Sequence, residues 1–498
     1  MLEQRSQNRS REAIAVAMLI SLAMVLRLSA VTPLPSADGQ FWDIQDTSPW
    51  AQDSGGIATG GRANPFNGFG YLKLQVSRPD KSLLVRNLYL SGFGLAHDGG
   101  ERFDSITPLL RGGIVVSRAL YAPKDTTYLR YFDSFTNVTD EDRVVEVAWG
   151  GAAGAFEDGG RVTVAITSSG DRNIGPGDSF ITVMQNARNV ADPMRGPSGH
   201  GPSAHVVGSG GEAGIASAGD MYADPFADRW PGYDPAHIGY VFRLNVAPGR
   251  TVALATFVVK GLSEVYDARG GFPVPVANGM IAPQFEALYS DGPPNIPAPG
   301  SEIARVTEVA RRLVREPDFR GLTPRQRAEI VNWPRSAGSP PPPFSVFEKT
   351  VDELQAAMTG GIVTSEDVVR EYLARLAIYD RNGPTFRSML ALNRKVLVEA
   401  RALDAERAAG RVRGPLHGVP VAFKDNIDVL GLPTTGGSRA LADHLPRLDS
   451  RMAAGMRRAG AVFLGKTNLD EFPFGDFGIS TVAGTIGNAY DPSLSTAG

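Results

Sequence analysis

The 498-residue sequence contains no cysteine, which excludes disulfides, thiolate nucleophiles and cysteine-based zinc sites. It also lacks an excess of either charge, since 50 Lys and Arg against 53 Asp and Glu leave a formal net charge of -3. No basic surface for nucleic acid follows from that balance, and no long-range attraction for acidic ligands. Long apolar runs are missing too. The stretch from Ala13 to Leu26 is too short to span a bilayer comfortably. With Arg5, Arg9 and Arg11 before it and Ser29-Ala30 after it, residues 1–30 read as a signal peptide or membrane anchor. The expected location is therefore outside the cytosol, periplasmic or extracellular, with an ordinary amphipathic helix as the alternative.

What is present divides along the chain. Over 38–291, β-branched and aromatic runs such as YLKLQV (71–76), RVVEVAW (143–149) and TVALATFVVK (251–260) are separated by Gly, Pro, Asp and Asn. No long helical period intervenes, so an all-β antiparallel sandwich is expected. Residues 292–344 read as a proline-rich linker with bridging helices: GPPNIPAPG and PRSAGSPPPPF flank SEIARVTEVARRLVRE, which has Ser301 placed to cap it, and a second helix opens at Thr323-Pro324. From 345 to 498 the pattern turns to helices alternating with strands. Thr350 and Glu353 have capping-box spacing, Thr364 opens a helix, another runs from about Asn393 to Ala409, and SRMAAGMRRAG is a helix between two strands that each end in lysine. A strand, a helix and a second strand with a crossover of this length imply parallel pairing.

The first of those strands lies in GPLHGVPVAFKDNIDV, where Val419, Val421 and Phe423 alternate before Lys424, Asp425 and Asn426. A lysine serves as a general base only when neutral, and burial at the end of a strand would favour the neutral amine.

TVDELQAAMTGGIVTSEDVVREYLARLAIYDRNGP, ALDAERAAGRVRGPLHGVPVAFKDNIDVLGLPTTGGSRAL, RRAGAVFLGKTNLDEF and GNAYDPSLSTAG resemble consecutive blocks of the amidase signature family over residues 346–498. The resemblance implies an α/β domain with a mixed sheet that hydrolyses amide C–N bonds through a Ser, cis-Ser, Lys triad, without metal or cofactor. It places the triad lysine on Lys424, by FKDN, and leaves Asp425 and Asn426 to order the loop and Lys466 to structure. It also implies that both catalytic serines and the oxyanion-hole amides follow the YDPS segment. Ser493 and Ser495 come just before the Gly/Ser-rich stretch that carries the cis-serine in that family and do not take the missing roles, so the chain is expected to be an inactive fragment of an amidase. The substrate expected for the whole enzyme is a small-molecule, peptide or aryl amide.

TTYLRYFDSFTNVTDEDRVVEVAWGG (126–151) resembles a unit of the supersandwich domains related to galactose mutarotase. The second reading is accordingly a carbohydrate-binding or sugar-processing β-sandwich with an inert amidase portion, the β domain contacting carbohydrate or the cell envelope. Trp50, Tyr71, Asp98, Glu101, Trp149 and Trp230 would be its ring and acid candidates. His97, His200, His205 and His237 lack metal-ligand spacing and read as turn or surface residues, and His417 as part of a turn.

Overall fold

The computed structural model describes residues 31–46, 53–58, 68–153, 161–186, 201–220, 225–226, 237–262, 264–266, 273–275, 301–334 and 344–497. The signal-like segment, Trp50, Trp230, His200, the first proline run and residues 335–343 of the second lie outside these residues.

The N-terminal part is built from two large antiparallel sheets. One has five strands in the order Gly214–Asp220, His237–Val246, Arg143–Ala152, Tyr71–Ser77, Leu83–Tyr89. The larger centres on strands β1 (Ile114–Tyr121), β2 (Tyr128–Asn137) and β3 (Thr251–Lys260), ordered β3-β2-β1. Alternation explains why they pack: Val116, Leu120, Tyr131 and Phe135 face one way and share a buried core with Leu72, Leu74, Val147, Trp149 and Phe242 of the other sheet. Each large side chain so enclosed contributes roughly 1.5–3 kcal/mol. Arg118 and Asp133 face each other across β1 and β2 inside this core. Their paired bonds of 2.7 and 2.9 Å, with further donation from Arg118 to the Ser54 and Gly70 carbonyls, compensate the buried charges.

Helix α1 (Glu302–Arg315) is capped by Ser301, and α2 (Pro324–Glu329) by a complete capping box on Thr323. The apolar stripe of α1, Ile303, Val306, Ala310 and Leu313, does not stand clear as a bridge. It is buried on the larger sheet, with Val306, Ala310 and Leu313 in one cluster with Ala204, Phe257 and Val259. Past α2, Asn332 imitates a strand: its amide accepts from Ala255 N at 3.0 Å and donates to the carbonyls of Ala255 and Val207 at 2.8 Å.

The C-terminal part begins with α3 (Val351–Thr359) and α4 (Ser365–Arg375), each opened by a capping box, on Thr350 and Thr364. Strand β4 (Met389–Leu392) leads to α5 (Val396–Ala408), β5 (Pro420–Lys424), α6 (Arg451–Arg458) and β6 (Val462–Thr467). The strands form one sheet ordered β4-β6-β5, in which β6 runs antiparallel to β4 and parallel to β5.

A buried charge cluster joins the two parts. Asp104, from the strand Arg102–Ser105, and Glu366, from α4, share three guanidiniums: Arg102 at 3.1 and 3.2 Å, Arg370 at 2.6 Å from both, and Arg401 at 2.8 and 3.3 Å. Burial alone would raise the Asp104 carboxyl; the three arginines outweigh it and hold the group far below the usual carboxylate range.

Candidate active site

The site is assembled on the tip of β5. Phe423 anchors the strand by turning inward, its ring edge-on to Phe463 at 4.8 Å. The next side chain must then turn out, because successive residues of a strand face opposite ways. Lys424 is accordingly exposed, on the edge strand of the sheet. This corrects the expectation of a lysine buried at the end of its strand.

The buried lysine is Lys466, at the matching end of β6. It is 0 % exposed, and its Nζ lies 3.0 Å from Asp425 Oδ1. The ammonium also donates to the Pro433 carbonyl and to Thr434 Oγ1, both at 2.9 Å. Burial pulls the Lys466 amine below its ordinary value, and Asp425 opposes that shift. The other Asp425 oxygen accepts from the Thr435 amide at 2.9 Å and from the Thr435 hydroxyl. Backbone bonds complete the clamp: Asp425 N donates to Thr467 O at 3.1 Å, Gly436 N to Asp425 O at 3.2 Å, and Ile427 N to Lys424 O at 2.9 Å. The loop-ordering role read for Asp425 is thus visible in its contacts, and Lys466 is the partner that makes its burial possible. The sequence signal for that pairing is the second strand ending in lysine.

Lys424 therefore projects from a rigid tip. Asp470 is its nearby counter-charge, held below the usual carboxylate range chiefly by the amides of Ile479 and Gly478, with a smaller contribution from Lys424. The turn before β5 is fixed by Gly418, whose φ of +82° suits glycine and whose absent Cβ would lie 2.1 Å from Ser365 Oγ. His417 is buried there, its Nε2 bonded to the Leu403 carbonyl at 3.0 Å and its Nδ1 accepting from Arg413 N at 3.3 Å. Both ring nitrogens are occupied, which agrees with a turn role. The Ser493 hydroxyl donates to Asp491 at 2.6 Å, a local turn contact.

The sugar-site candidates do not come together. Tyr71 and Trp149 are core residues, 5 % and 1 % exposed. Asp98 instead accepts from the amides of Gly100 and Arg102 in its own turn, and Glu101 from Lys124 N. His205 and His237 are buried rather than at the surface, and His205 packs on Phe69 with ring centroids 4.1 Å apart. Among the described residues no group of three or more His, Cys, Asp or Glu side chains could hold a metal.

A lysine-tipped parallel strand pair, with its loop locked by a buried carboxylate-ammonium bond, defines a small α/β segment that presents a single amine. Comparison with known proteins places it more closely. Residues 367–498 match the family model described as Amidase. The glutamyl-tRNA(Gln) amidotransferase subunit of Acidothermus cellulolyticus is 39% identical over 149 residues, covering 30% of this chain and 29% of that protein. Its counterpart of the same name from Salinispora arenicola is 41% identical over 140 residues, 28% of each. The peptide amidase of Stenotrophomonas maltophilia, a solved structure, is 42% identical, with 30% of this chain and 32% of that one covered and a TM-score of 0.29. The C-terminal segment of this chain is thus a segment of the amidase signature family. The chain spans about 29% of the length of the curated relatives it matches.

Proposed function

We propose that the chain carries the base-bearing part of an amidase that hydrolyses amide C–N bonds through an acyl-enzyme, with Lys424 as the general base. The observation that carries this reading is the position of Lys424 within the family-matched segment, on a strand tip clamped by Asp425 and Lys466. As the base, Lys424 would take the proton of a cis-serine that in turn activates a nucleophilic serine, both supplied by sequence outside the described residues. That surrounding sequence would also have to cover the exposed lysine and so favour its neutral form. The relatives are named as a peptide amidase and as part of a glutamyl-tRNA(Gln) amidotransferase. The two-sheet part and the signal-like segment favour an exported enzyme acting on a small-molecule, peptide or aryl amide. We read the paired sheets as a sandwich-type accessory domain over 38–291, with the helices of 292–344 packed on its larger sheet and the amidase domain from 345.

The test is to sequence the gene past codon 498 and express the extended product. An amide hydrolase activity that falls at least ~10³-fold in Lys424→Ala, at unchanged thermal stability, is expected for loss of the base and its nucleophile activation. The 498-residue chain alone is expected to be inactive on amides. Undiminished turnover in Lys424→Ala would remove the lysine from the mechanism.

A further inference from the structure

A cleft of about 1030 Å³ opens between the larger sheet and helices α2 and α4, at the upper end of the ~300–1,000 Å³ usual for small-molecule sites. Its helical wall places Gln326 and Glu329, neighbours on one face of α2, beside Asp367 and Glu371 of α4. Gln326 is 3 % exposed. Its Oε1 accepts from Thr323 N at 3.0 Å, which fixes the orientation of the amide. That leaves Nε2 with no hydrogen-bond partner among the described residues. A buried donor in this condition costs free energy until an acceptor reaches it.

The same wall sets three carboxyls, Glu329, Asp367 and Glu371, beside three arginines, Arg325, Arg370 and Arg375. Burial first, and then the neighbouring Asp367, push the Glu329 carboxyl up to about 7. Asp367 and Glu371 are also raised, each chiefly by burial. Two of these arginines have further partners: Arg370 is bonded to Asp104 and Glu366, and Arg375 lies over the rings of Phe347 and Tyr379. Arg325 and Arg370 offset Glu329 only in part, as Arg375 and Arg325 do Glu371. Across the cleft, Arg250 is paired with Glu212, and Arg118 is turned to Asp133. Phe132 from the sheet and Tyr379 from the helical side supply aromatic surface.

We propose that this cleft binds a small organic ammonium carrying an acceptor oxygen beside the amine and an apolar body. The ammonium pairs with Glu329 and Asp367, the oxygen accepts from Gln326 Nε2, and the apolar body lies on Phe132 and beside Tyr379. The assignment goes beyond amide hydrolysis and does not depend on Lys424.

Titration calorimetry on the full chain tests it with L-phenylalaninol, whose amine stays protonated well above neutral pH. The controls are 3-phenylpropan-1-ol, which lacks the amine, and maltose, a neutral polyol. Phenylalaninol is expected to bind at pH 8, and at least tenfold more weakly at about pH 5.5, where Glu329 holds a proton and no longer attracts the cation. Glu329→Gln, which keeps the side-chain shape, and Tyr379→Ser, at the exposed rim, should each weaken binding, the former at least tenfold. Absence of binding up to ~10 mM, equal binding of the amine-free alcohol, or unaltered affinity in Glu329→Gln would overturn the proposal. Tighter binding of maltose would overturn it in favour of a polyol site.

Discussion

Lys424 and Lys466 end neighbouring parallel strands with opposite surroundings, one exposed and one enclosed. The enclosed one is structural, so its removal should be felt in stability. Lys466→Met leaves the Asp425 carboxylate buried without its cation, and a loss of ~3–5 kcal/mol is expected in chemical denaturation. Glu329 illustrates the reverse sign. Its folded value of about 7 lies above that of an ordinary glutamate, so the folded state binds more protons than the unfolded one between about pH 4 and 7. The unliganded protein therefore loses stability as pH rises through that window, by up to ~3 kcal/mol. Glu329→Gln should accordingly be more stable than the parent at pH 8 and nearly equal to it at pH 5, as read by thermal denaturation.

At the scale of elements, caps and turns carry much of the specification. Thr364 opens α4 by accepting from Asp367 N, while Asp367 answers Thr364 through N–H and hydroxyl contacts of 2.9 Å and also receives the Thr323 hydroxyl at 2.7 Å. One carboxylate thus links the starts of α2 and α4. Thr364→Ala should cost about 1 kcal/mol as a lost cap; Asp367→Asn should cost more, since it disturbs both helix starts. These caps were legible in the sequence, because Ser301, Thr323, Thr350 and Thr364 precede apolar periodicity at the right offsets. So was the lysine at the end of a strand. The exposure of Lys424 was not, because whether a strand lies at a sheet edge depends on the order β4-β6-β5 and not on its own residues. Strand β4 escaped notice for a related reason: its four residues MLAL are all only partly buried and show no alternation. The cleft, too, takes its walls from segments more than a hundred residues apart.

For the molecule as a whole, the Asp104 and Glu366 cluster is the main electrostatic tie between the two parts described. Asp104→Asn leaves three guanidiniums sharing one carboxylate, and a loss of ~3 kcal/mol or more is expected. Because both carboxyls are held below their ordinary values, their contribution is complete above about pH 5 and declines as the pH falls further. Calorimetry at decreasing pH should show one transition separating into two in the parent, and the separation should begin at higher pH in Asp104→Asn. A single transition throughout would show that the apolar contacts of Ala96 and Ile106 with Val369, Leu373 and Val396 suffice to hold the parts together.

The burial of α1 and the strand-like Asn332 bears on where this chain can be divided. A gene shortened to end at residue 291 would strip the cover from Ala204, Phe257 and Val259 and leave the Ala255 backbone without Asn332. Such a product should be recovered in inclusion bodies. One extended to Pro334 retains those contacts and is the better piece to crystallise or to fuse to another enzyme. In architectural terms, the helices after the first proline run are the roof of the first building, and not the corridor to the second.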